Sequence, residues 1–404
     1  MNAVTEPDGF GPAVLDEDTG IALQQFIRIR RDIHANPELG FREARTAALV
    51  ARLLKQWGYE VSTGIGGTGV VGQLRRGEGR RLGLRADMDA LPVEEKTGLA
   101  WASSVPGVMH ACGHDGHTAT LLAAAHALAQ APAFSGTLNV IFQPAEEGAG
   151  GAVRMIEDGL FERFPCDAIY AMHNLPGLAE GAFMFRSGPA MASSDDVTIR
   201  LSGVGGHGAM PHTTTDVIVA ASAIVLALQS VVARNVDPLE TAVVSVGAFH
   251  AGQAGNVIPD SATLELSVRA LNPDVRALLR ARICALVDTQ AAGFGVTAQV
   301  DWRAGYDVLI NDPERTRFAA EVATRLFGPD RVQADGRRLT ASEDFAFMLQ
   351  KVPGCYFFVG NGARGEPGGC MVHNPGYDFN DRIIGPAAQF WVALANAYLS
   401  PAAV

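Results

Sequence analysis

The chain has 404 residues, of which 48% are hydrophobic and 19% are charged, and its formal net charge is -11. This length is sufficient for two domains or for one domain with a large insertion, and the composition is ordinary for a globular protein with a substantial core. The acidic balance argues against nucleic acid or an anionic membrane as a partner.

The N-terminal segment predicts a flexible lead rather than a targeting sequence. Its first twenty residues are acidic and lack a basic start followed by an apolar stretch, which excludes a signal or transit peptide. No window approaches the roughly 18 apolar residues that a membrane span needs. Five cysteines without a close CxxC pair indicate reduced thiols, so we expect a cytoplasmic protein.

The first half of the chain predicts an α/β fold with a mostly parallel sheet. Helical apolar spacing comes first, and short apolar strands then flank an alanine-rich helix. These predicted elements are a helical stretch at 21–57, strands at 69–74, 82–87, 137–144 and 167–174, and a helix at 117–130. Strands that are almost wholly apolar and alternate with helices indicate a parallel sheet covered by helices on both faces.

The middle third predicts a second domain with the order β-α-β-β-α-β, which is the ferredoxin-like pattern. Its predicted elements are a strand at 196–203, a helix at 214–234, strands at 239–250 and 261–271, a helix at 273–293 and a strand at 296–303. More sheet at 355–360 and a closing helix at 386–399 follow. We therefore expect one α/β domain in two parts, residues 1–192 and 304–404, around an inserted domain at 193–303.

Residues 109–118, MHACGHDGHT, contain the densest group of metal-binding side chains in the sequence. Cys112 and His114 lie two positions apart on a glycine-containing loop before a predicted helix, so both side chains can reach one ion. A thiolate and an imidazole, together with carboxylates, suit zinc or a manganese-type divalent ion. The C-x-H spacing alone is weak, because it is most often coincidental. His117 falls within the helix and is expected to point elsewhere.

Further candidates stand at the ends of predicted strands, where α/β proteins gather their chemistry. Glu146 and Glu147 end one strand in QPAEEG, and since side chains alternate along extended chain, one can bind a cation while the other faces the substrate as a base. The alternative is a solvated acidic turn. His173 ends the next strand, and His373 lies in a turn-rich loop. Asp87 ends a strand and Asp89 follows it, at a position where an aspartate often orients a ligand histidine.

Two other functional classes remain open from the residues alone. A cysteine hydrolase would use Cys112 with a histidine base, but it leaves Glu146, Glu147, His173 and His373 unexplained. A non-catalytic dimeric binding protein is the second alternative, and a carboxylate at Glu146 that can act as a base disfavours it. We interpret His34, His110 and His126 as structural.

Eight ordered motifs between about Phe26 and Leu399 resemble one family of enzymes. They are RADMDALP, MHACGHDGHT, FQPAEEG, AMHNLPG, GVGGHGAMPH, GNVIPD, TASEDFAFML and VHNPGYDFND. Together they resemble the metal-dependent amidohydrolases of the aminoacylase and carboxypeptidase-G type, in the branch of hippurate hydrolases, auxin-conjugate hydrolases and N-acetyl-diaminopimelate deacetylases. The resemblance implies a catalytic α/β domain with an inserted ferredoxin-like lid that forms a homodimer or a higher homo-oligomer.

Carried over position by position, the resemblance implies a site with two divalent ions, for which zinc, manganese, cobalt and nickel are all candidates. The implied ligands are Cys112, His114, Glu147, His173 and His373, with Cys112 bridging. Glu146 matches the general base and Asp89 an orienting aspartate. His207 resembles a lid histidine that reaches the active site of the partner subunit, while Asn256 and Arg269 match positions that contact the substrate carboxylate.

The implied reaction is hydrolysis of the amide bond of an N-acyl amino acid, with an acetyl, benzoyl or similar acyl group. The products are a carboxylic acid and a free amino acid. Dipeptidase or carboxypeptidase-like activity and N-acetyl-diaminopimelate deacetylation are alternatives within the same family.

Overall fold

The computed structural model describes residues 23–130 and 134–400, which form two compact units. Unit 1 contains the chain up to Gly188, Asn311–Gly336 and the residues from Phe347 onward; unit 2 contains Pro189–Ile310 and Arg337–Ala346. The first twenty residues, predicted to be a flexible lead, lie outside the described residues.

The first part of unit 1 alternates helices with strands. In chain order its elements are α1 (Leu23–Ala35), α2 (Ala44–Gln56), β1 (Glu60–Ile65), β2 (Gly69–Arg76), β3 (Arg81–Asp87), α3 (His114–Gln130), β4 (Gly136–Gln143), α4 (Gly151–Glu157), α5 (Leu160–Arg163), β5 (Ala168–Pro176) and β6 (Phe183–Met184). The continuous helical stretch predicted for 21–57 is wrong, because the chain leaves the helix between α1 and α2. Pro37 explains the break, since a residue before proline is disfavoured in the α region.

The next elements run through unit 2. They are β7 (Gly188–Met191), β8 (Asp195–Ser202), β9 (Gly206–His207), a 3₁₀ turn (Pro211–Thr213), α6 (Val217–Asn235), β10 (Ala242–Ala251), β11 (Val257–Ile258), β12 (Ser261–Ala270), α7 (Pro273–Gly293), β13 (Thr297–Ala304) and β14 (Leu309–Asn311). The sheet order is β10-β12-β8-β13, and all neighbours are antiparallel. This is the ferredoxin-like arrangement that the sequence predicts.

The chain then completes the fold with α8 (Pro313–Phe327), a 3₁₀ turn (Pro329–Arg331), β15 (Val332–Gln333), α9 (Phe345–Leu349), β16 (Gly354–Gly362), a 3₁₀ turn (Asp381–Ile383) and α10 (Ile384–Leu399). Strand β16 joins the first part of unit 1 by pairing in parallel with β5. Residues on both sides of the insertion therefore build one sheet.

The large sheet of unit 1 has the order β1-β2-β4-β3-β5-β16-β6-β15. Its central strands β4, β3, β5 and β16 are parallel neighbours and almost completely buried, which confirms the mostly parallel sheet with covered faces. Because parallel strands end at the same edge, the residues that follow β3 and β4 and the end of β5 come together there.

By length and composition alone, helix α6 could cross a membrane. The expectation that no stretch of the sequence approaches the apolar length of a membrane span is therefore wrong. Its buried stripe includes Val217, Ile224 and Leu228 and belongs to the hydrophobic core of unit 2. The opposite side exposes Val219 and, with 75% of its surface accessible, Leu226. Packing within unit 2 explains why this stripe is buried. It does not explain the exposed apolar residues on the opposite side.

Candidate metal centre

The five ligand candidates meet at the carboxyl edge of the large sheet. Their donor atoms form overlapping triplets in which all atoms lie within 4.8 Å of one another. These triplets are Cys112, His114 and His173; Cys112, Glu147 and His373; and His114, Glu146 and Glu147. Residues from the loop before α3, the loop after β4, strand β5 and the loop before α10 thus surround one small volume.

The closest donor pairs have the spacing of ligands on a shared cation. Cys112 Sγ lies 3.3 Å from His173 Nε2, and His373 Nε2 lies 3.1 Å from Glu147 Oε1. Tetrahedral zinc, with bonds of about 2.3 Å to sulfur and about 2.0–2.1 Å to nitrogen or oxygen, separates neighbouring ligand atoms by roughly 3.3–3.6 Å. The observed distances suit this geometry with small adjustments.

Hydrogen bonds at the Nδ1 atoms direct two imidazoles into the site. His114 Nδ1 donates to Asp89 Oδ1 at 3.1 Å, and His173 Nδ1 donates to the carbonyl oxygen of Asn174 at 2.6 Å. In its neutral form each ring would therefore offer its Nε2 lone pair to a cation, and a bound cation displaces a second proton from the ring. His114 Nε2 is buried and has no hydrogen-bond partner among the described residues, a cost that a bound cation would remove.

Asp89 connects this histidine to the glutamate pair. Its carboxylate is 1% exposed, and its Oδ2 accepts the backbone N–H of Glu147 at 2.9 Å while Oδ1 is used on His114. One carboxylate therefore fixes an imidazole from α3 and the backbone after β4. The orienting role that the sequence predicts for Asp89 would use these two contacts.

The electrostatic environment favours cations over a free thiolate. Burial, reinforced by the carboxylates of Glu147 and Glu146, holds the pKa of the Cys112 thiol well above its ordinary value. Burial would lower the pKa of His114, but Asp87 and Asp89 outweigh it and raise that pKa to about 10. A cysteine nucleophile must form its thiolate without an ion, whereas a ligand thiol loses its proton to the cation that it binds, so this environment suits a metal centre better than a cysteine hydrolase.

His117 lies close to Asp87 and His114 but has no ring nitrogen left for an ion. Its Nδ1 donates to Asp87 Oδ1 at 2.6 Å, and its Nε2 accepts the backbone N–H of Asn174 at 3.1 Å. His117 is thus a buried supporting residue, as expected, but its ring does not point elsewhere: its centroid lies 5.5 Å from that of His114 and 4.6 Å from that of His173.

The other histidines of unit 1 are engaged in packing or ion pairs. His34 lies between Asp115 and Glu95, at 2.8 and 3.4 Å. The ring of His126 packs on Trp57. His110 is buried, and burial lowers its pKa to about 4, so its ring is neutral near pH 7.

Three supporting residues were not predicted from the sequence. The hydroxyl of Tyr377 donates to Asn174 Oδ1 at 2.9 Å, and Asn174 Nδ2 donates to the carbonyl oxygen of Cys112 at 2.7 Å. Glu43 accepts the N–H of Ala145, directly before the glutamate pair. The position of Asn174, a polar residue next to His173 in an otherwise apolar strand, was the available signal.

The model of Peptidase family M20/M25/M40 matches residues 83–397. The chain belongs to this family. The match confirms the resemblance to metal-dependent hydrolases, and it spans both ligand-bearing parts of unit 1 as well as unit 2.

Individual members of the family are similar over nearly the whole chain. A hippurate hydrolase of Campylobacter jejuni is 47% identical over 93% of this chain and 97% of its own length. An N-acetyl-L-cysteine deacetylase of Bacillus subtilis is 38% identical over 93% of this chain and 88% of its own. The crystal structure of the B. subtilis YXEP protein, described as a dinuclear metal-binding M20 peptidase, has a TM-score of 0.80 at 33% identity and covers 93% of this chain and 98% of its own.

The remaining candidates inferred from family resemblance belong to unit 2. His207 is exposed on β9, which pairs with β11, and its Nδ1 accepts the N–H of Ala209 at 3.0 Å. Asn256 is exposed, and its carbonyl accepts the N–H of Gly208 at 2.8 Å. Arg269 on β12 donates to the carbonyl oxygen of Thr340 at 3.1 Å.

Proposed function

We propose that this protein hydrolyses the amide bond of N-acyl amino acids with the help of two divalent metal ions, releasing a carboxylic acid and a free amino acid. The observation that carries the proposal is the convergence of five donor side chains, one of them the buried thiol of Cys112, with Glu146 beside them. The hippurate hydrolase and the N-acetyl-L-cysteine deacetylase support an acylated amino acid as the substrate.

The ligand triplets suggest how the ions are divided. One ion would be held by His114 and His173 and the other by Glu147 and His373, and Cys112, which belongs to both triplets, would be available to either ion. The mixed nitrogen, oxygen and sulfur donors accept zinc, manganese, cobalt or nickel. Bound ions of this kind lower the pKa of water and polarise a carbonyl oxygen.

Glu146 is the general base in this proposal. The residue is 6% exposed, and its carboxylate lies within 4.8 Å of the donor atoms of His114 and Glu147; the division of the ions above leaves it out of both ligand sets. It takes the proton of the attacking water and delivers it to the departing nitrogen. Asp89 keeps the neighbouring ligands oriented.

His207 has the tautomer that an oxyanion donor needs. Because its Nδ1 accepts the N–H of Ala209, the proton of the neutral ring is on Nε2, which can donate to a developing negative charge. Asn256 and Arg269 are our candidates for the substrate carboxylate, since a guanidinium has five N–H donors and Arg269 uses only part of them on Thr340 and Ser342.

We also propose that the protein is a homodimer, or a higher homo-oligomer, formed through unit 2. Strand β10 is an edge strand there, and Phe249 on it is 40% exposed. Val219 and Leu226 on α6 are exposed as well. Unpartnered apolar surface of this kind is typical of an interface. The five free cysteines support a cytoplasmic location.

The first test combines metal analysis with a substrate panel. We expect elemental analysis to find two ions per chain, chelation to abolish hydrolysis and a divalent ion to restore it. N-benzoyl and N-acetyl amino acids should be hydrolysed faster than dipeptides. Preference for dipeptides would favour the carboxypeptidase-like alternative, and activity that survives chelation would favour the cysteine hydrolase.

A pair of histidine variants tests the oxyanion donor. His207→Ala should lower kcat by about 10²–10³. His212→Ala, which removes an exposed histidine in the same segment, is the matched control and should keep wild-type activity. Equal losses in the two variants would contradict the role of His207.

A further inference from the structure

We propose that Glu43 is a positioning residue that holds Glu146 and Glu147 in their working geometry by fixing the backbone at Ala145. It belongs to the connection between α1 and α2, Glu38–Glu43, which we call the bracing segment. The catalytic consequence rests on the proposed function, whereas the structural part does not.

The carboxylate of Glu43 accepts hydrogen bonds from residues distant in sequence rather than from helix α2. Glu43 precedes α2 but makes no side-chain capping hydrogen bond there, although capping is the usual reason for an acidic residue at this position. Its Oε1 instead accepts the N–H of Ala145 at 2.8 Å, and its Oε2 accepts the hydroxyl of Thr68. The residue is 0% exposed, and burying a carboxylate is costly unless its oxygens are satisfied.

Ala145 needs such support because its φ is 52°, in the left-handed region that alanine rarely adopts. A conformation of this kind persists where the surroundings enforce it. Glu43 fixes the N–H of Ala145, and the N–H of Gly151 binds its carbonyl oxygen at 3.0 Å. Since Ala145 directly precedes Glu146, its backbone angles set the directions in which Glu146 and Glu147 leave the strand.

The bracing segment also contacts the end of β3. The N–H of Ala90 donates to the carbonyl oxygen of Glu38 at 2.8 Å. A Cβ added at Gly40 would lie 3.0 Å from the Cβ of Ala145 and 3.7 Å from Asp89 Oδ2, so the close approach depends on glycine. One segment therefore aligns the strand end that carries Asp89 with the one that carries the glutamate pair.

Two conservative variants separate the effect of the length of the Glu43 side chain from the effect of its charge. Glu43→Gln keeps the length of the side chain and an oxygen for the N–H of Ala145, while its amide can donate to the Thr68 hydroxyl. Glu43→Asp keeps the charge but is shorter by about 1.5 Å, so it loses the contact. We expect Glu43→Asp and Glu43→Ala to lower kcat roughly 10- to 100-fold, with KM changed less than about threefold. Glu43→Gln should retain most of the activity.

A control removes a buried polar contact elsewhere in unit 1. Gln73 is 5% exposed and donates to Asn139 between β2 and β4. Gln73→Leu should leave kcat per folded molecule unchanged. If Glu43→Asp is as active as Glu43→Gln, or if Gln73→Leu loses kcat to the same extent as Glu43→Asp, the positioning role is wrong.

Hydrogen exchange provides a readout that does not depend on substrate. We expect the amides of residues 145–148 to exchange faster in Glu43→Asp than in the wild type, and at wild-type rates in Glu43→Gln. Unchanged exchange in Glu43→Asp would overturn the bracing contact. A wild-type protein that hydrolyses no N-acyl amino acid would instead overturn the proposed function, and the exchange comparison would still decide the bracing role.

Discussion

Adding one methyl group at Gly113 should disturb the metal centre directly. Gly113 lies between two ligand candidates, Cys112 and His114, and has a φ of 93°. A Cβ at this position would come closer than 3.0 Å to Asn174 Nδ2 and to the hydroxyl oxygen of Tyr377. Both groups are held by hydrogen bonds, so neither can retreat without breaking one.

The cost of Gly113→Ala has two parts. The left-handed backbone costs an L-residue about 1–2 kcal/mol. Overpacking against Asn174 and Tyr377 adds about 1–3 kcal/mol. Gly58→Ala is the matched control, because Gly58 has a φ of 86° and no described atom lies within 4 Å of an added Cβ. The control should lose only the first part, while Gly113→Ala should lose roughly 2–5 kcal/mol of unfolding free energy in all.

Urea unfolding in the presence of a chelator measures this difference without a contribution from bound metal. Metal content after reconstitution provides the second readout, and we expect it to fall in Gly113→Ala, because the peptide that carries Cys112 and His114 must shift. Gly58→Ala should bind metal as the wild type does. Equal unfolding free energies for the two variants, with full metal content in both, would refute the steric reasoning.

Three further predictions concern the base, the ligand loop and the pH dependence of stability. Glu146→Gln should lower kcat by about 10²–10⁴ without changing the metal content, and a variant that kept most of its activity would contradict the base assignment. Tyr377→Phe removes the hydrogen bond to Asn174 Oδ1 and should weaken metal binding about 10- to 100-fold in chelator competition; an unchanged affinity would refute the role of this hydroxyl. Burial lowers the pKa of His34, but Asp115 outweighs this effect and raises that pKa to about 9. The charged histidine therefore stabilises the fold fully below pH 6.5. This contribution, on the order of 3 kcal/mol, is lost as the pH rises through 9. The excess unfolding free energy of wild type over His34→Gln should therefore shrink between pH 6 and 10, and a constant difference would contradict the assignment.

The grouping of the ligand candidates could be predicted because metal-binding chemistry restricts the residue types. Cys112, His114 and His173 are unusual at their positions, a glycine-rich loop and the end of an apolar strand, and each stands out against its neighbours. The parallel sheet then requires the ends of its strands to meet at one edge, so strand assignment alone brings distant residues together. The ferredoxin-like order in unit 2 could be predicted for a related reason, since its strands alternate clearly and its long helices lie between them.

Elements with mixed signals were harder to predict. The break between α1 and α2 was overlooked because helical apolar spacing continues on both sides of Pro37, although the proline was the available sign. Helix α8 also went unpredicted, and its beginning has a clear signature: Asp312 accepts the N–H of Arg315, and Pro313 occupies the first turn. These errors came from weighing apolar periodicity above start and stop residues.

The supporting contacts of the site are different, because no local pattern encodes them. Glu43 and Ala145 are 102 positions apart, and an acidic residue before a helix is ordinarily interpreted as a cap. The left-handed backbone at Ala145 has no signature either, since glycine, which would have indicated it, is absent there. A ligand must be a particular kind of residue, whereas a residue that holds a ligand in place needs only one hydrogen-bonding atom at the right point in space. Sequence therefore identifies the first kind of residue, and only the folded chain identifies the second.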